Sequence, residues 1–317
     1  MKSKFLFFII LFASISTIQA SERVKKEFAV GENPKLILDV DAGNVEVRPG
    51  TSGQIVVYVE LPKRERYTLS SAQNANEVRI RVKHKDEVLS WLLYPIDVVA
   101  DKEVKVRIEV PSASNLDIKA SAGGIDVKGI EGNIALATSA GSIIADSLKG
   151  DVRATASSGA VQVFNLDGAL DAQTSAGSVR IYDSRGSFHA ETDAGSIKIV
   201  DSKGSFKVQS EVGSIDFSGT ITEGKDNYLT TSVGQINVTL DEQKDIEIDA
   251  ETSLGGVSIR PEPGNLRKGE HYLIAGIGEK NTVLRLRSRT GSIKIEKGLD
   301  AIETEDSDLN DEGIPQE

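Results

Sequence analysis

The sequence contains no cysteine. This absence excludes disulfide bonds, thiolate metal sites, a cysteine nucleophile and a lipid-modified N-terminal cysteine. Aromatic residues make up only 5% of the chain. The protein must therefore rely on packing and on backbone hydrogen bonds for its stability.

The chain also lacks an excess of positive charge. It has 37 Lys and Arg against 48 Asp and Glu, which gives a formal net charge of −11. Without Lys2 and Lys4, the only charged residues among the first 20, the net charge is −13. A net acidic chain without a basic patch argues against nucleic acid or anionic lipid as a partner.

Long hydrophobic runs are absent after residue 20. At the N-terminus, Lys2 and Lys4 precede the apolar run FLFFIILFASI, and the small residue Ala20 is suited to cleavage. This pattern predicts a secretory signal peptide over residues 1–20. An uncleaved anchor is the alternative, which the short length of the run disfavours. We expect an exported protein, periplasmic or extracellular, with no transmembrane segment once the signal is removed.

Glycine, by contrast, is plentiful, with 29 residues, and in the middle of the chain it recurs at every ninth position. A fixed short period of this kind indicates one structural unit stacked on itself. The nine-residue unit alternates between two types, such as GSVRIYDSR (177–185) and GSFHAETDA (186–194), so the full period is eighteen. The series comprises Gly123, Gly132, Gly141, Gly150, Gly159, Gly168, Gly177, Gly186, Gly195, Gly204 and Gly213.

Both unit types show the pattern of a strand with one buried face, because their third and fifth positions are apolar and the fourth is polar. Glycine before each strand and Asp-Ser or Thr-Ser after it indicate tight turns. We predict an all-β fold, a parallel β-solenoid whose coils of about 18 residues each hold two short strands. The predicted inward columns are Ile143, Val161, Val179, Ile197 and Ile215 in one strand type, and Ile134, Val152, Leu170, Phe188 and Phe206 in the other.

The periodicity divides the chain after the signal peptide into three parts. Residues 21–112 are predicted to be an N-terminal β region that caps or flanks the solenoid. Residues 113–299 are the predicted solenoid, and residues 300–317 are an acidic tail predicted to be disordered.

Three features refine this division. DAGNVEV (41–47) matches TSAGSVRI (174–181), so Gly43 is predicted to form the first rung, a rung being one coil of the stack. The apolar segment 88–100 holds the only tryptophan and Pro95, and it is interpreted as a loop or flap over the solenoid. Gly291 is predicted to mark the last rung.

The stretch VRIEVP followed by LDIKASAGGIDVKGIEGNIALATSAGSI resembles the DUF4097 family, whose β-strand-repeat members are labelled "putative adhesin". The resemblance covers residues 36–297. It implies a bacterial exported β-solenoid and offers no catalytic residues to transfer. Because the shared motif is a structural repeat, it is specific for the fold and not for an activity.

The sequence offers no catalytic residue, metal site or cofactor site. His84, His189 and His271 are far apart, and a surface histidine is favoured over a ligand. The many serines lie beside turn glycines, where a hydroxyl bonds to the local backbone, and no serine-base-acid arrangement appears.

A polar column recurs at the corners. It is formed by Asn165, Asp183 and Asp201. Turn formation is favoured over a cation site here, because Asp and Asn suit such corners.

An aromatic column is the one candidate binding site. Phe164, Tyr182 and Val200 fall at the same outward position of successive repeats. An exposed aromatic stripe indicates a partner. The alternative, somewhat favoured, is that segment 88–100 packs over it.

Three functions are compatible with these features. The first is an exported, non-enzymatic β-solenoid that acts as an adhesin or cell-envelope binding module for a protein or glycan. The second is a periplasmic structural or stress-sensing scaffold that binds another envelope protein. The third, a polysaccharide-cleaving enzyme, is disfavoured because the regular coils are too short to build a catalytic groove from long loops.

Overall fold

The computed structural model describes residues 22–62, 66–85, 104–222, 226–241, 245–279 and 281–297. The predicted signal peptide, the apolar segment 88–100 and the acidic tail lie outside these residues. All 26 strands of the described residues join one sheet, which confirms the prediction of an all-β fold. No helix among them is long and apolar enough to cross a membrane.

The glycine repeat forms parallel strands of two lengths. A strand of four residues follows most of the longer ones. In chain order the strands are β8 (Asn115–Ala122), β9 (Ile125–Lys128), β10 (Ile134–Ala140), β11 (Ile143–Asp146), β12 (Lys149–Ser158), β13 (Val161–Phe164), β14 (Asp167–Ala176), β15 (Val179–Tyr182), β16 (Arg185–Ala194), β17 (Ile197–Val212) and β18 (Ile215–Ile221).

These strands pair in parallel with partners one repeat away. Val161 lies opposite Ile143 on one side and Val179 on the other, and each is eighteen residues away in sequence. Within the glycine repeat, the four-residue strands β9, β11, β13 and β15 pair in series, and the series continues to β3 at one end and to the first residues of β17 at the other. We call this part of the sheet, continued by β18 beside the start of β17, the short wall. The longer strands form the long wall, in which Val152 pairs with Ile134 and Leu170.

Strand β17 runs through both walls. Its residues 197–200 pair with β15, and its residues 203–212 pair with β16. The predicted corner between them is made by Asp201, whose φ is 48°. This one left-handed residue turns the chain without ending the strand.

The corners of the rungs depend on two columns of special backbone. One contains Asn165, Asp183 and Asp201, with φ between 48° and 52°, and the equivalent residue of an earlier rung is Gly129. The interpretation of this column as turn-forming is consistent with that geometry. In the other column, a Cβ at Gly159 would lie 2.0 Å from the carbonyl oxygen of Gly141, so glycine is required by close backbone contact.

The inward side chains of both walls form one hydrophobic core. A column of buried hydroxyls borders it, three residues before the rung glycines. Thr192, for example, is fully buried and donates a hydrogen bond to the carbonyl oxygen of Gly177 over 2.9 Å. Each such bond satisfies a backbone acceptor that the corner would otherwise leave unpaired.

The N-terminal strands cap one end of the stack. They are β1 (Glu22–Ala29), β2 (Lys35–Ala42), β3 (Asn44–Pro49), β4 (Gln54–Leu61), β5 (Tyr67–Asn74), β6 (Glu77–His84) and β7 (Lys105–Val110). β2 and β3 pair in parallel with β8 and β9, so Gly43 does belong to the stack. The prediction that it marks the first rung is wrong, because β6 and β7 pair with the outer edges of β2 and β3. Antiparallel strands β5, β4 and β1 then cover this end.

The C-terminal strands build the other end. They are β19 (Asp226–Val233), β20 (Ile236–Leu240), β21 (Ile246–Leu254), β22 (Val257–Arg260), β23 (Asn265–Lys268), β24 (Tyr272–Ile277), β25 (Val283–Thr290) and β26 (Ile293–Lys297). β25 pairs with β19 on one side and β21 on the other. The prediction that Gly291 marks the last rung is therefore wrong. Antiparallel β24 pairs with the outer edge of β21, and β25 pairs with its inner edge.

Candidate functional site: an aromatic column on the short wall

The aromatic column is positioned by strict alternation in three neighbouring strands. Phe164 pairs with Tyr182, and Tyr182 pairs with Val200. All three side chains are half-buried, whereas Val163 and Ile181 beside them point inward and are fully buried. The structure thus brings together the three residues that the sequence singled out.

The two rings stack directly on each other. Their centroids are 5.2 Å apart and their planes are inclined by 7°. One face of each ring is therefore covered by the other ring. On its other side, Tyr182 is followed by Val200. The Tyr182 hydroxyl forms no hydrogen bond within the described part of the chain. What the column offers a partner is an apolar ridge with one free hydroxyl.

A charged pair closes the column toward the N-terminus. Asp146 pairs with Phe164 in register, and its carboxylate lies 2.7 Å from the Nζ of Lys128. It also accepts hydrogen bonds from Asn165 and Ser147. The bond from Lys128 is the largest cause that lowers the pKa of Asp146 to about 2, with smaller contributions from Asn165 and Ser147.

Basic side chains flank the other end of the column. Arg180 and Lys198 occupy the next outward position of the same strands and lie opposite each other. Arg185 and Lys203 lie opposite each other beyond the corner. None of these four side chains forms an ion pair with another described residue. The sequence analysis counted charge over the whole chain and did not bring these four residues together.

A sequence match identifies the family of the chain. Residues 33–296 match the Toastrack DUF4097 family. The chain belongs to that family. The match nearly coincides with the 36–297 range of the resemblance, and it covers the strands from β2 to β26.

Three solved structures are similar to this Toastrack chain, all at low identity. A putative cell adhesion protein from Clostridium sporogenes has 12% identity and a TM-score of 0.25, over 87% of this chain and 100% of that one. A putative adhesin from Bacteroides fragilis has 13% identity and a TM-score of 0.41, over 87% and 98%. One from Parabacteroides distasonis has 13% identity and a TM-score of 0.41, over 88% and 98%. No curated protein matches the sequence.

The three histidines of this Toastrack chain have separate, local contacts. His84 meets the ring of Tyr67 edge-on at 5.3 Å. His189 lies 3.7 Å from the Glu191 carboxylate, and His271 Nδ1 is 2.8 Å from the carbonyl oxygen of Gly255. Among the described residues, no group of three or more His, Asp and Glu is arranged to hold a metal ion.

The long wall carries an open groove on its outer face. It has a volume of about 830 Å³ and runs across six strands, from Asp117 to Lys207. Its lining includes the ion pair of Arg153 with Asp171 at 3.7 Å. The groove arises because small residues follow the glycines of the long wall, as Ala169, Ser187 and Ser205 do.

A second apolar feature was missed by the sequence analysis. Val212, Val233 and Leu254 precede rung glycines and are 55%, 48% and 66% exposed. Earlier rungs carry alanine or serine at this position, such as Ala176 and Ala194. The change from small to large residues before glycine was the available signal.

Proposed function

We propose that this Toastrack chain is an exported, non-enzymatic β-solenoid of 18-residue, two-strand coils that acts as an adhesin-like binding module at the cell envelope. The aromatic column of Phe164, Tyr182 and Val200 is its contact site. The observation that carries this proposal is the outward stacking of Phe164 on Tyr182 on the short wall. The column offers an apolar contact and no acid–base pair for catalysis.

The partner is a protein rather than a glycan. Sugar rings pack on the faces of aromatic rings, but here each ring covers a face of the other. Half-buried aromatic and aliphatic side chains beside basic ones are typical of protein interfaces, in which aromatic residues and arginine are enriched.

Site-specific photocrosslinking tests the site. Tyr182 is replaced by p-benzoylphenylalanine in the full chain, expressed in its native cells, and the matched control carries the same residue at the half-buried, outward Gln173 of the long wall. We expect a crosslinked protein at position 182 that is absent at position 173. The same products at both positions, or none at 182, would contradict the proposal.

Paired substitution separates binding from stability. Phe164→Ser with Tyr182→Ser removes the stacked rings. We expect this variant to lose binding to the partner identified by crosslinking, measured by pull-down, with a fall in unfolding free energy of about 1–2 kcal/mol, because the rings are half-buried. Urea unfolding measures the second quantity. A much larger loss of stability would favour cover by segment 88–100 and argue against an open site.

Export and location require a separate experiment. An epitope tag after Glu317 is detected with antibody on intact and on permeabilised cells. Labelling of intact cells supports a surface adhesin. Labelling only after permeabilisation supports the second function, a periplasmic scaffold for another envelope protein.

A further inference from the structure

Two rungs of the stack carry basic side chains in register beside the aromatic column. Arg180 lies opposite Lys198, and Arg185 lies opposite Lys203. Neighbouring strands are about 4.8 Å apart, so each pair brings like charges close together. Arg180 is half-buried, and the other three are exposed.

Charges on the preceding rungs form ion pairs, whereas the carboxylates in register with this cluster, Asp167 beside Arg185 and Asp216 beside Lys198, do not pair with it. Lys128 is 2.7 Å from Asp146, and Lys149 is 3.1 Å from Glu131. No carboxylate of the described residues forms an ion pair with the four basic side chains. In a chain of net charge −11, this arrangement fits an acidic segment that binds across the column.

The chain itself contains a segment of matching chemistry. Residues 300–317 hold eight acidic and no basic side chains. Apolar residues are interspersed among the acidic ones, namely Leu299, Ile302, Leu309 and Ile314 in the stretch that follows Lys297. Such a segment matches an apolar column with basic flanks in both respects.

The position of Lys297 brings this segment within reach. Lys297 ends β26 and pairs with Leu240, which pairs with Gly219, which pairs with Ser202. Three strand spacings, about 14 Å, therefore separate Lys297 from the rung of Val200. Six extended residues span about 20 Å, so Ile302 and Glu303 reach Val200 and Lys198. The outward residues between them, Ser218 and Thr239, are small and half-buried.

We propose that the acidic segment 298–317 docks in cis along the aromatic column, with its apolar residues against Tyr182 and Val200 and its carboxylates against Arg180, Lys198, Arg185 and Lys203. If the proposed function holds, the segment competes with the partner for this site. The docking itself rests on the geometry and charge of the short wall and of the corner beyond it.

The absence of cysteine allows a direct test in the full chain. A nitroxide is attached at Thr304→Cys, and paramagnetic broadening of valine methyl signals is measured by NMR. We expect broadening at Val200 at least about fivefold greater than at Val30, at the opposite end of the sheet, because the reach of the segment ends far short of Val30. Raising the salt from about 50 to 500 mM should remove most of it, since exposed charges are then screened.

Charge reversal identifies the surface. Arg180→Glu with Lys198→Glu should abolish the broadening at Val200. The matched control, Lys119→Glu with Lys207→Glu, makes the same charge change on the long wall and should leave it unchanged. Equal loss in both variants, or no loss in the first, would overturn the proposal.

One further label and a mixing experiment distinguish other occupants. Broadening of Val200 by a nitroxide at Ser90→Cys, but not at Thr304→Cys, would assign the column to segment 88–100 and overturn the proposal. Broadening that appears only when spin-labelled and isotope-labelled chains are mixed would assign it to a second copy. A partner crosslinked at position 182 with no tail contact would leave the proposed function standing and refute this inference alone.

Discussion

At the scale of single residues, the corners depend on backbone contact more than on side-chain packing. Gly177 has a φ outside the left-handed region, yet a Cβ there would lie 2.0 Å from the carbonyl oxygen of Gly159. We expect Gly177→Ala to lower the unfolding free energy by at least about 2 kcal/mol, because neither backbone can move without breaking the register. Urea unfolding measures this change.

Gly256 supplies the control for that substitution. A Cβ at Gly256 would meet nothing within 4 Å, and its φ is also outside the left-handed region. Gly256→Ala should therefore change stability by no more than about 0.5 kcal/mol. Equal effects of the two substitutions would show that close backbone approach is not what the corner glycines provide.

Asp146 makes the stability of the protein depend on pH in a defined way. Its pKa is lowered to about 2, chiefly by the hydrogen bond from Lys128, so its stabilising effect is complete above about pH 4 and is lost as the pH falls toward 2. We expect Asp146→Asn to cost about 1 kcal/mol at neutral pH, a value reduced for the solvent exposure of Lys128, and nothing near pH 2. Thermal unfolding from pH 2 to 7 measures the difference.

The matched control for Asp146 is Asp183→Asn, which removes the same charge from a left-handed corner that asparagine also tolerates. That variant should match the stability of the parent at neutral pH. A constant deficit for Asp146→Asn across the range would mean that the carboxylate acts through shape rather than charge.

The sequence alone indicated that Asp183 and Gly177 lie at corners, but it did not indicate why each residue type is needed there. Asp183 was expected at a turn from its residue type, and its φ of 49° fits that expectation. Gly177 was also expected at a corner, but its requirement for glycine comes from contact with another rung. Such a contact depends on register, which a single residue does not reveal.

At the scale of elements, alternation within a strand decides which substitutions the fold tolerates. Ile197 is fully buried, and Lys198 next to it is exposed. We expect Ile197→Asp to cost more than about 4 kcal/mol, because it buries an unpaired charge, while Lys198→Asp costs less than about 0.5 kcal/mol. Circular dichroism during urea unfolding measures both. Similar losses in the two variants would contradict the assigned faces.

Side-chain size at one core position of a rung is matched to side-chain size at another. Rungs with Leu148 or Leu166 before the glycine have Val152 or Leu170 after it, and rungs with Ser184 or Ser202 have Phe188 or Phe206. The phenylalanine rings stack at 5.1 Å, and both serines are buried. The inward columns were predictable from the period of two. The exchange of volume between them was not, because it requires knowing which strands share a rung.

At the scale of the whole molecule, sequence order and spatial order agree in the middle and differ at both ends. Between Gly123 and Gly213 the rungs follow the chain, so the constant period sufficed to predict the stacking. At the N-terminal end, β2 and β3 lie between β6–β7 and β8–β9. At the C-terminal end, β25 and β26 lie between β19–β20 and β21–β22. Periodicity shows that a segment joins the stack. It does not show where in the stack the segment lies, because that position depends on which edge of the sheet the antiparallel strands cover.

This insertion of late strands changes how the stack should open. In a simple linear array, the terminal repeat has one neighbour and frays first. Here β25 has hydrogen-bonded neighbours on both sides, although it lies close to the end of the described residues. We expect its amides to exchange with solvent at least about 100-fold more slowly than those of β23, which pairs only with β24. Native-state hydrogen exchange measures both, with β14 in the middle of the stack as the protected reference. Because β25 cannot leave without separating β19 from β21, comparable exchange in β25 and β23 would mean that the stack opens from its C-terminus despite the insertion.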